Sequence, residues 1–295
     1  MNRGFEYRET LGREASGATV IGWLASRHRH SSEDVWHARI EAGEVRLDGV
    51  VASAADGLQP GQRLAWRRPP WEEPAVPLGY AIVYRDESLL AVAKPRGLPS
   101  LPNGGFLEHT LLHRVRLKHP EAVPMHRLGR GTSGLLLFAR TAEARRSVAA
   151  AWRAGRVEKT YRALVSGVPR ERRFTVEAPI GLVSHPRLGR VHAANAAGKP
   201  SLSHVEVLAE QADSALVCVR IATGRPHQIR VHLAFAGHPL VGDPLYVTGG
   251  VPGRDPGLPG DGGYRLHAER LVLAHPTTQA RLELECAPPS ELRER

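Results

Sequence analysis

Met125-His-Arg-Leu-Gly-Arg-Gly-Thr-Ser-Gly-Leu-Leu-Leu-Phe-Ala-Arg140 is the stretch on which the reading of this chain turns. Its first half is polar and loop-like. Gly129, Gly131 and Gly134 permit backbone angles and close approaches that other residues forbid. His126, Arg127 and Arg130 crowd positive charge onto the loop. The second half, Leu135–Ala139, is an unbroken apolar run suited to a strand buried on both faces. A basic, glycine-rich loop feeding a central strand is a way to hold a site rigidly. A tight turn with solvated arginines is the plainer alternative, and spacing alone does not separate the two.

Outward from this stretch, strands and helices alternate from residue 79 to residue 290. Ala81–Tyr84 and Leu89–Ala93 read as a strand pair, followed by Lys94-Pro-Arg-Gly-Leu-Pro99. Thr110–Lys118 and Thr141–Ala154 read as helices, and Lys159–Val165 as a strand. Ser203–Leu208 and Ala215–Ile221 form an antiparallel pair. Thr223–Ala236 is expected to be helical, with Pro226 near its start, where a missing N–H is tolerated. Residues 248–263, rich in glycine and proline, are expected to be a mobile loop. Strands Leu271–Ala274 and Ala280–Cys286 close the domain. The pattern predicts an α+β domain on a mixed, largely antiparallel sheet.

Residues 1–68 read as a small separate domain and 69–78 as a linker stiffened by prolines. Gly17–Arg29 has helical apolar spacing. Ser31 or Ser32 can cap a second helix whose first turn carries Glu33 and Asp34. Gly43–Gly49 alternates as a strand and ends in an Asp-Gly turn, and Leu58–Trp66 reads as a turn and a last strand.

Composition sets bounds. Forty Lys+Arg against thirty Asp+Glu give a formal charge of +10. Such a surplus, almost all arginine, favours a polyanionic partner, although an arginine-rich proteome would give the same balance to any enzyme. Cys218 and Cys286 are too few for a disulfide framework or a cysteine-rich zinc site. No apolar run of membrane-spanning length appears. A cytoplasmic monomer that does not engage membranes is expected.

The central stretch resembles the His-Arg-Leu-Asp-x-x-Thr-Ser-Gly-Leu-Leu-Leu signature of the RluA-type pseudouridine synthases. Four further segments follow the same pattern in order: Ile82–Pro99; Lys159-Thr-Tyr-Arg-Ala-Leu-Val165; Thr223-Gly-Arg-Pro-His-Gln-Ile-Arg-Val-His-Leu233; and Gly237–Tyr246 with Leu266-His-Ala268. The first domain resembles the α-L RNA-binding domain, in which Arg27, His28, Arg29 and His30 would face phosphates. The resemblance implies a pseudouridine-synthase-like fold that isomerises uridine in structured RNA, ribosomal or transfer, without metal or organic cofactor. It implies Tyr161 as the tyrosine that stacks on the flipped base and helps take the C5 proton. It implies Arg230 as the arginine that pairs with the catalytic aspartate, and Arg127, Arg130, Arg225 and His227 as the RNA-facing wall.

One position departs: Gly129 stands where the family carries that aspartate. Arg230 would then lack its partner, and another acid, a phosphate or water should take the place. Asp243 reads as structural, which leaves Glu108 as the substitute acid; its plainer role is a helix N-terminal charge. A non-catalytic RNA-binding descendant is the alternative function. His227 and His232 could also be read as zinc ligands, but they lie off one helical face and lack a third ligand. No Gly-x-Ser-x-Gly elbow points to a hydrolase.

Overall fold

The computed structural model describes residues 1–28 and 30–294, so Arg29 lies outside the described residues. The chain forms two compact units, Met1–Glu73 and Pro74–Arg295, divided inside the expected linker.

In the first unit, helices Val20–Arg27 and Glu33–Glu41 are capped by the hydroxyls of Thr19 and Ser32, which accept from the amides of Gly22 and Val35. Each cap satisfies an amide that the first helical turn leaves without a partner. A sheet in the order Phe5–Thr10, Arg63–Arg68, Val45–Leu47, Val50–Val51 packs on them. The last two strands join through Asp48 and Gly49, both at positive φ, as a tight two-residue hairpin requires. Trp23, Leu24, Trp36, Ile40, Val45, Leu64 and Trp66 form the core. The strand Phe5–Thr10 has no counterpart among the elements expected from the sequence.

The second unit is built on a largely antiparallel sheet. Its main path runs Arg173–Val176, Ser203–Glu210, Ser214–Ile221, Glu158–Ser166, Leu266–Ala274, Ser133–Ala139, Leu89–Lys94, Ala81–Arg85. Its one parallel pairing joins Leu266–Ala274 to Ser133–Ala139. There Gly134, at φ +108°, lies so close to the Ala268 carbonyl that a Cβ would collide with it. Ser133–Ala139 is buried along its whole length. Leu135, Leu137 and Ala139 pack on helix Ala142–Arg153 through Ala144 and Val148. Leu136 and Phe138 pack on helix Leu111–Arg116 through Leu111 and Val115. The apolar run therefore became a strand with both faces in the core.

Two expectations fail. The helix expected from Thr223 begins only at Gln228. Pro226 biases Arg225 away from helical angles, and His227 sits in the left-handed region at φ 56°. The Gln228 side chain holds the preceding loop, accepting from the Thr223 hydroxyl and the Arg225 amide and donating to the Leu202 carbonyl and the Ser203 hydroxyl. Segment 248–263 is tied down rather than loose. Val251–Pro252 pairs with Tyr246–Val247, Gly253 N–H donates to the Leu245 carbonyl, and Gly257 N–H to that of Pro244.

Candidate active site

The Leu128–Thr132 loop is fixed from below. The Ser100 hydroxyl donates to the Leu128 carbonyl at 2.8 Å and accepts from its amide at 3.1 Å. Gly97 N–H donates to the Arg130 carbonyl at 2.8 Å, and the Lys94 ammonium reaches the carbonyls of Pro95 and Leu98. The Lys-Pro-x-Gly turn is thus the loop's platform. His126 does not add the charge expected of it. Its Nε2 accepts from Leu137 N–H at 3.0 Å, its ring stacks on Trp152, and burial, with Lys159 nearby, pushes its pKa down to about 4. It serves as a neutral side-chain partner for a strand amide.

Gly129 and Gly131 are small because Tyr264 lies against both. A Cβ on Gly129 would stand 2.6 Å from the Tyr264 hydroxyl, and one on Gly131 would stand 2.8 Å from its ring. A carboxylate oxygen lies about 2.4 Å from its own Cβ by covalent geometry. The phenol oxygen therefore sits at the distance from residue 129 that an aspartate oxygen there would have. The Tyr264 hydroxyl bonds with that of Thr132 at 3.2 Å, and Tyr264 is 1% exposed.

Arg230 is not an orphan. Its Nε and Nη2 both donate to Asp243 at 2.7 Å, and its Nη1 donates to the Pro259 carbonyl at 3.1 Å. Its guanidinium lies 4.2 Å from the Tyr264 ring centre and 5.0 Å from that of Tyr246. Both members of the ion pair are buried. Burial alone would lower the Arg230 pKa, but the hydrogen bonds and charge of Asp243 outweigh it and hold the pKa above its ordinary value. Asp243 also accepts from the amides of Leu245 and Tyr246, so it is both a turn residue and the acid facing Arg230. Glu108 is therefore not the acid that replaces Arg230's partner: the fork is already filled. Glu108 lies two residues before Thr110, whose hydroxyl caps helix Leu111–Arg116.

Tyr161 is half-buried between Val219 and Ala268 in the sheet. It packs on two clusters, one holding Tyr264 and Ile229, the other Leu128 and Ala268. Burial raises its pKa to about 12, so it remains a phenol at neutral pH. His227 Nδ1 lies 2.6 Å from the Tyr246 hydroxyl, which itself donates to the His192 carbonyl. Nδ1 must therefore carry the proton, leaving Nε2 as an acceptor. Burial and the charge of Arg230 push the His227 pKa down to about 3, and the charge of Arg127 adds to the same shift.

The other wall residues are more dispersed. Arg127 is exposed. Arg130 lies over Phe106 and 3.9 Å from Asp261, and Arg225 Nε donates to the Pro200 carbonyl. In the first unit Arg27 lies over Trp23 and 3.6 Å from Glu9, with His28 on the same carboxylate, so neither is simply presented to solvent. His232 spends Nδ1 on the Ser203 hydroxyl and Nε2 on the Ala178 carbonyl. Among the described residues no His, Cys, Asp or Glu group is arranged to hold a metal, and no helix is long and apolar enough to cross a membrane.

The family model for RNA pseudouridylate synthase matches residues 88–235, which contain the Leu128–Thr132 loop, Tyr161 and Arg230. This chain belongs to the RNA pseudouridylate synthase family. An uncharacterised RNA pseudouridine synthase of Synechocystis is 41% identical over 276 residues, 92% of this chain and 95% of the relative. RNA pseudouridine synthase 5 of Oryza sativa is 36% identical, covering 100% of this chain and 89% of its own length. Among solved structures, human RNA pseudouridylate synthase domain containing 1 superposes with a TM-score of 0.60 at 29% identity, over 75% of this chain and 89% of its own. In the candidate site, Tyr264 was not singled out by sequence reasoning, and Asp243 was read there as structural rather than as the acid facing Arg230.

Proposed function

We propose that this chain is a cytoplasmic, monomeric RNA pseudouridine synthase acting on a uridine in structured ribosomal or transfer RNA, with Gly129 at the position of the family's aspartate. The observation that carries the reading is the convergence on Tyr264 of the Leu128–Thr132 loop and Arg230, with Tyr161 packed alongside. In the reaction the N1–C1′ bond breaks, the base turns, C5 bonds to C1′, C5 loses its proton and N1 gains one. Tyr161 would supply a stacking face for the extruded base, offsetting part of the few kcal/mol that extrusion costs. Its raised pKa favours stacking over service as a phenolate base. The unprotonated His227 Nε2 would offer an uncharged acceptor to a base edge, and Arg127 a phosphate contact.

A second reading is favoured by one observation: the side-chain space at Gly129 is filled by a phenol. On that reading the chain binds RNA without isomerising it. Loss of a catalytic nucleophile costs ~10⁴–10⁶ in rate, so the two readings separate cleanly. Tritium release from [5-³H]uridine-labelled structured RNA, with pseudouridine mapping in cells with and without the gene, is the test. Release, together with sites lost on deletion, supports the synthase; a chain that binds RNA but releases no tritium supports the second reading.

A further inference from the structure

The first unit does not share the basic character of the whole chain. Met1–Glu73 holds ten arginines and no lysine against eleven acids, a formal −1. Counterion release, the usual source of affinity for RNA, therefore has little to act on there. The unit has instead a continuous aromatic surface where strand Phe5–Thr10 meets Arg63–Arg68. Register places Phe5 opposite Arg68 and Tyr7 opposite Trp66. Tyr7 stacks on Trp66, with ring centres 5.1 Å apart and planes at 16°, and Phe5 meets Tyr7 edge-on at 4.8 Å. Trp66 is buried behind them, whereas Phe5 and Tyr7 are 46% and 43% exposed.

Guanidinium groups continue the stack. Arg39 lies over both Trp36 and Trp66, at 4.6 and 4.4 Å, and Arg68 lies 3.5 Å from the centre of Trp71. Stacking orients the Arg68 fork while leaving its N–H groups free of any carboxylate among the described residues. Two open aromatic faces on a rigid strand, beside a guanidinium aimed by an indole, match an unpaired nucleic-acid segment. Bases need π-faces, and the phosphate between them needs a bidentate donor.

We propose that Phe5, Tyr7 and Arg68 form a stacking platform for an unpaired stretch of the RNA substrate, separate from the site around Tyr264. The proposal rests on the reading that the substrate is RNA. Stacking on Phe5 and Tyr7 adds affinity that does not vary with salt, Arg68 adds a single phosphate contact, and the second unit, with thirty basic residues against nineteen acidic, supplies most of the electrostatic part.

The test uses the full chain and a short unpaired RNA carrying 2-aminopurine, whose fluorescence is quenched on stacking. Wild type should quench it. Phe5→Ser/Tyr7→Ser should weaken binding by at least about 5- to 150-fold, the range for one lost base stack. The slope of log affinity against log salt should stay unchanged, whereas Arg127→Gln should reduce that slope by about one phosphate's worth. Tyr7→Trp should retain binding, which separates loss of the platform from misfolding. Affinity within about twofold of wild type in the double serine variant, or a loss that follows the salt slope, would overturn the platform. Tritium release is read separately on structured RNA, so a failed platform leaves the synthase reading standing, and a silent enzyme with intact quenching leaves the platform standing.

Discussion

Placing a carboxylate at position 129 is the perturbation that interrogates the site most directly. Gly129 has no positive φ, so aspartate costs no backbone strain there. The obstacle is steric: the new Cβ would lie 2.6 Å from the Tyr264 hydroxyl. Tyr264 cannot swing aside cheaply, since its ring is wedged between Gly131 and Arg230. Overpacking of a filled site costs about 1–3 kcal/mol. At ~2–4 °C per kcal/mol for a unit of this size, Gly129→Asp should lower the melting temperature by roughly 2–12 °C. Tyr264→Phe removes the offending oxygen, and the next atom, Cζ, stands 3.9 Å from the Cβ position, an ordinary contact. Alone it forfeits the bond to Thr132, worth about 0.5–1.5 kcal/mol. The double variant should then be more stable than the two single losses predict, by about 1–2 kcal/mol of coupling. Denaturant unfolding of the four proteins gives that coupling. Additivity within about 0.5 kcal/mol would refute the idea that the phenol occupies the side-chain space of residue 129. Tritium release by the double variant, compared with wild type, then reports whether a carboxylate at position 129 adds turnover.

Asp243→Asn should destabilise the protein by about 3–5 kcal/mol, because it strands a buried guanidinium; a loss below about 1 kcal/mol in urea unfolding would mean Arg230 is satisfied elsewhere. Tyr161→Ala should weaken both RNA binding and turnover, with about 1–3 kcal/mol lost from stacking, whereas Tyr161→Phe should keep binding; unchanged binding and turnover in the alanine variant would make Tyr161 an ordinary sheet residue. His126 and His227 are neutral in the fold, with pKa values lowered from 6.5 to about 4 and about 3. Their stabilisation is complete above pH 6.5 and is lost as pH falls toward those values, on the order of 3 kcal/mol for His126. Melting temperature should therefore drop between pH 7 and pH 4, less steeply in His126→Gln, and an identical profile in the two proteins would refute the assignment.

What could be read from the sequence was whatever lies close together along it. Leu135–Ala139 announced a doubly buried strand because its apolar run is unbroken, and Ser31 or Ser32 announced a helix start, the cap falling to Ser32, whose hydroxyl reaches an amide three residues on. Phe5–Thr10 alternates, but its partner strand lies near residue 65, and local polarity hid it. The start of the last helix was misjudged because Gln228 braces the loop through bonds that no propensity encodes. His126 looked like a charge because nothing local shows that it caps a strand amide. Gly129 was visible as a departure from the resembled signature, but the ring lying against it was not. The Thr132–Tyr264 contact spans 132 residues, and two glycines two apart were its only trace. Asp243 was legible only as a structural residue; its bonds to the amides of Leu245 and Tyr246 and its grip on Arg230 depend on a helix packing back over the turn.

The fit of one ring against two glycines constrains how such a chain can diverge. With Tyr264 in place, a side chain at 129 or 131 meets an occupied volume, so an aspartate gained at 129 passes through an overpacked form. The order of changes is therefore biased: loss of the hydroxyl or the ring at position 264 eases the gain of a carboxylate at 129. Drift at either place is ratcheted by the other. Across a set of relatives this predicts covariation, with glycine at 129 keeping company with tyrosine at 264 and aspartate at 129 with a smaller or differently placed partner.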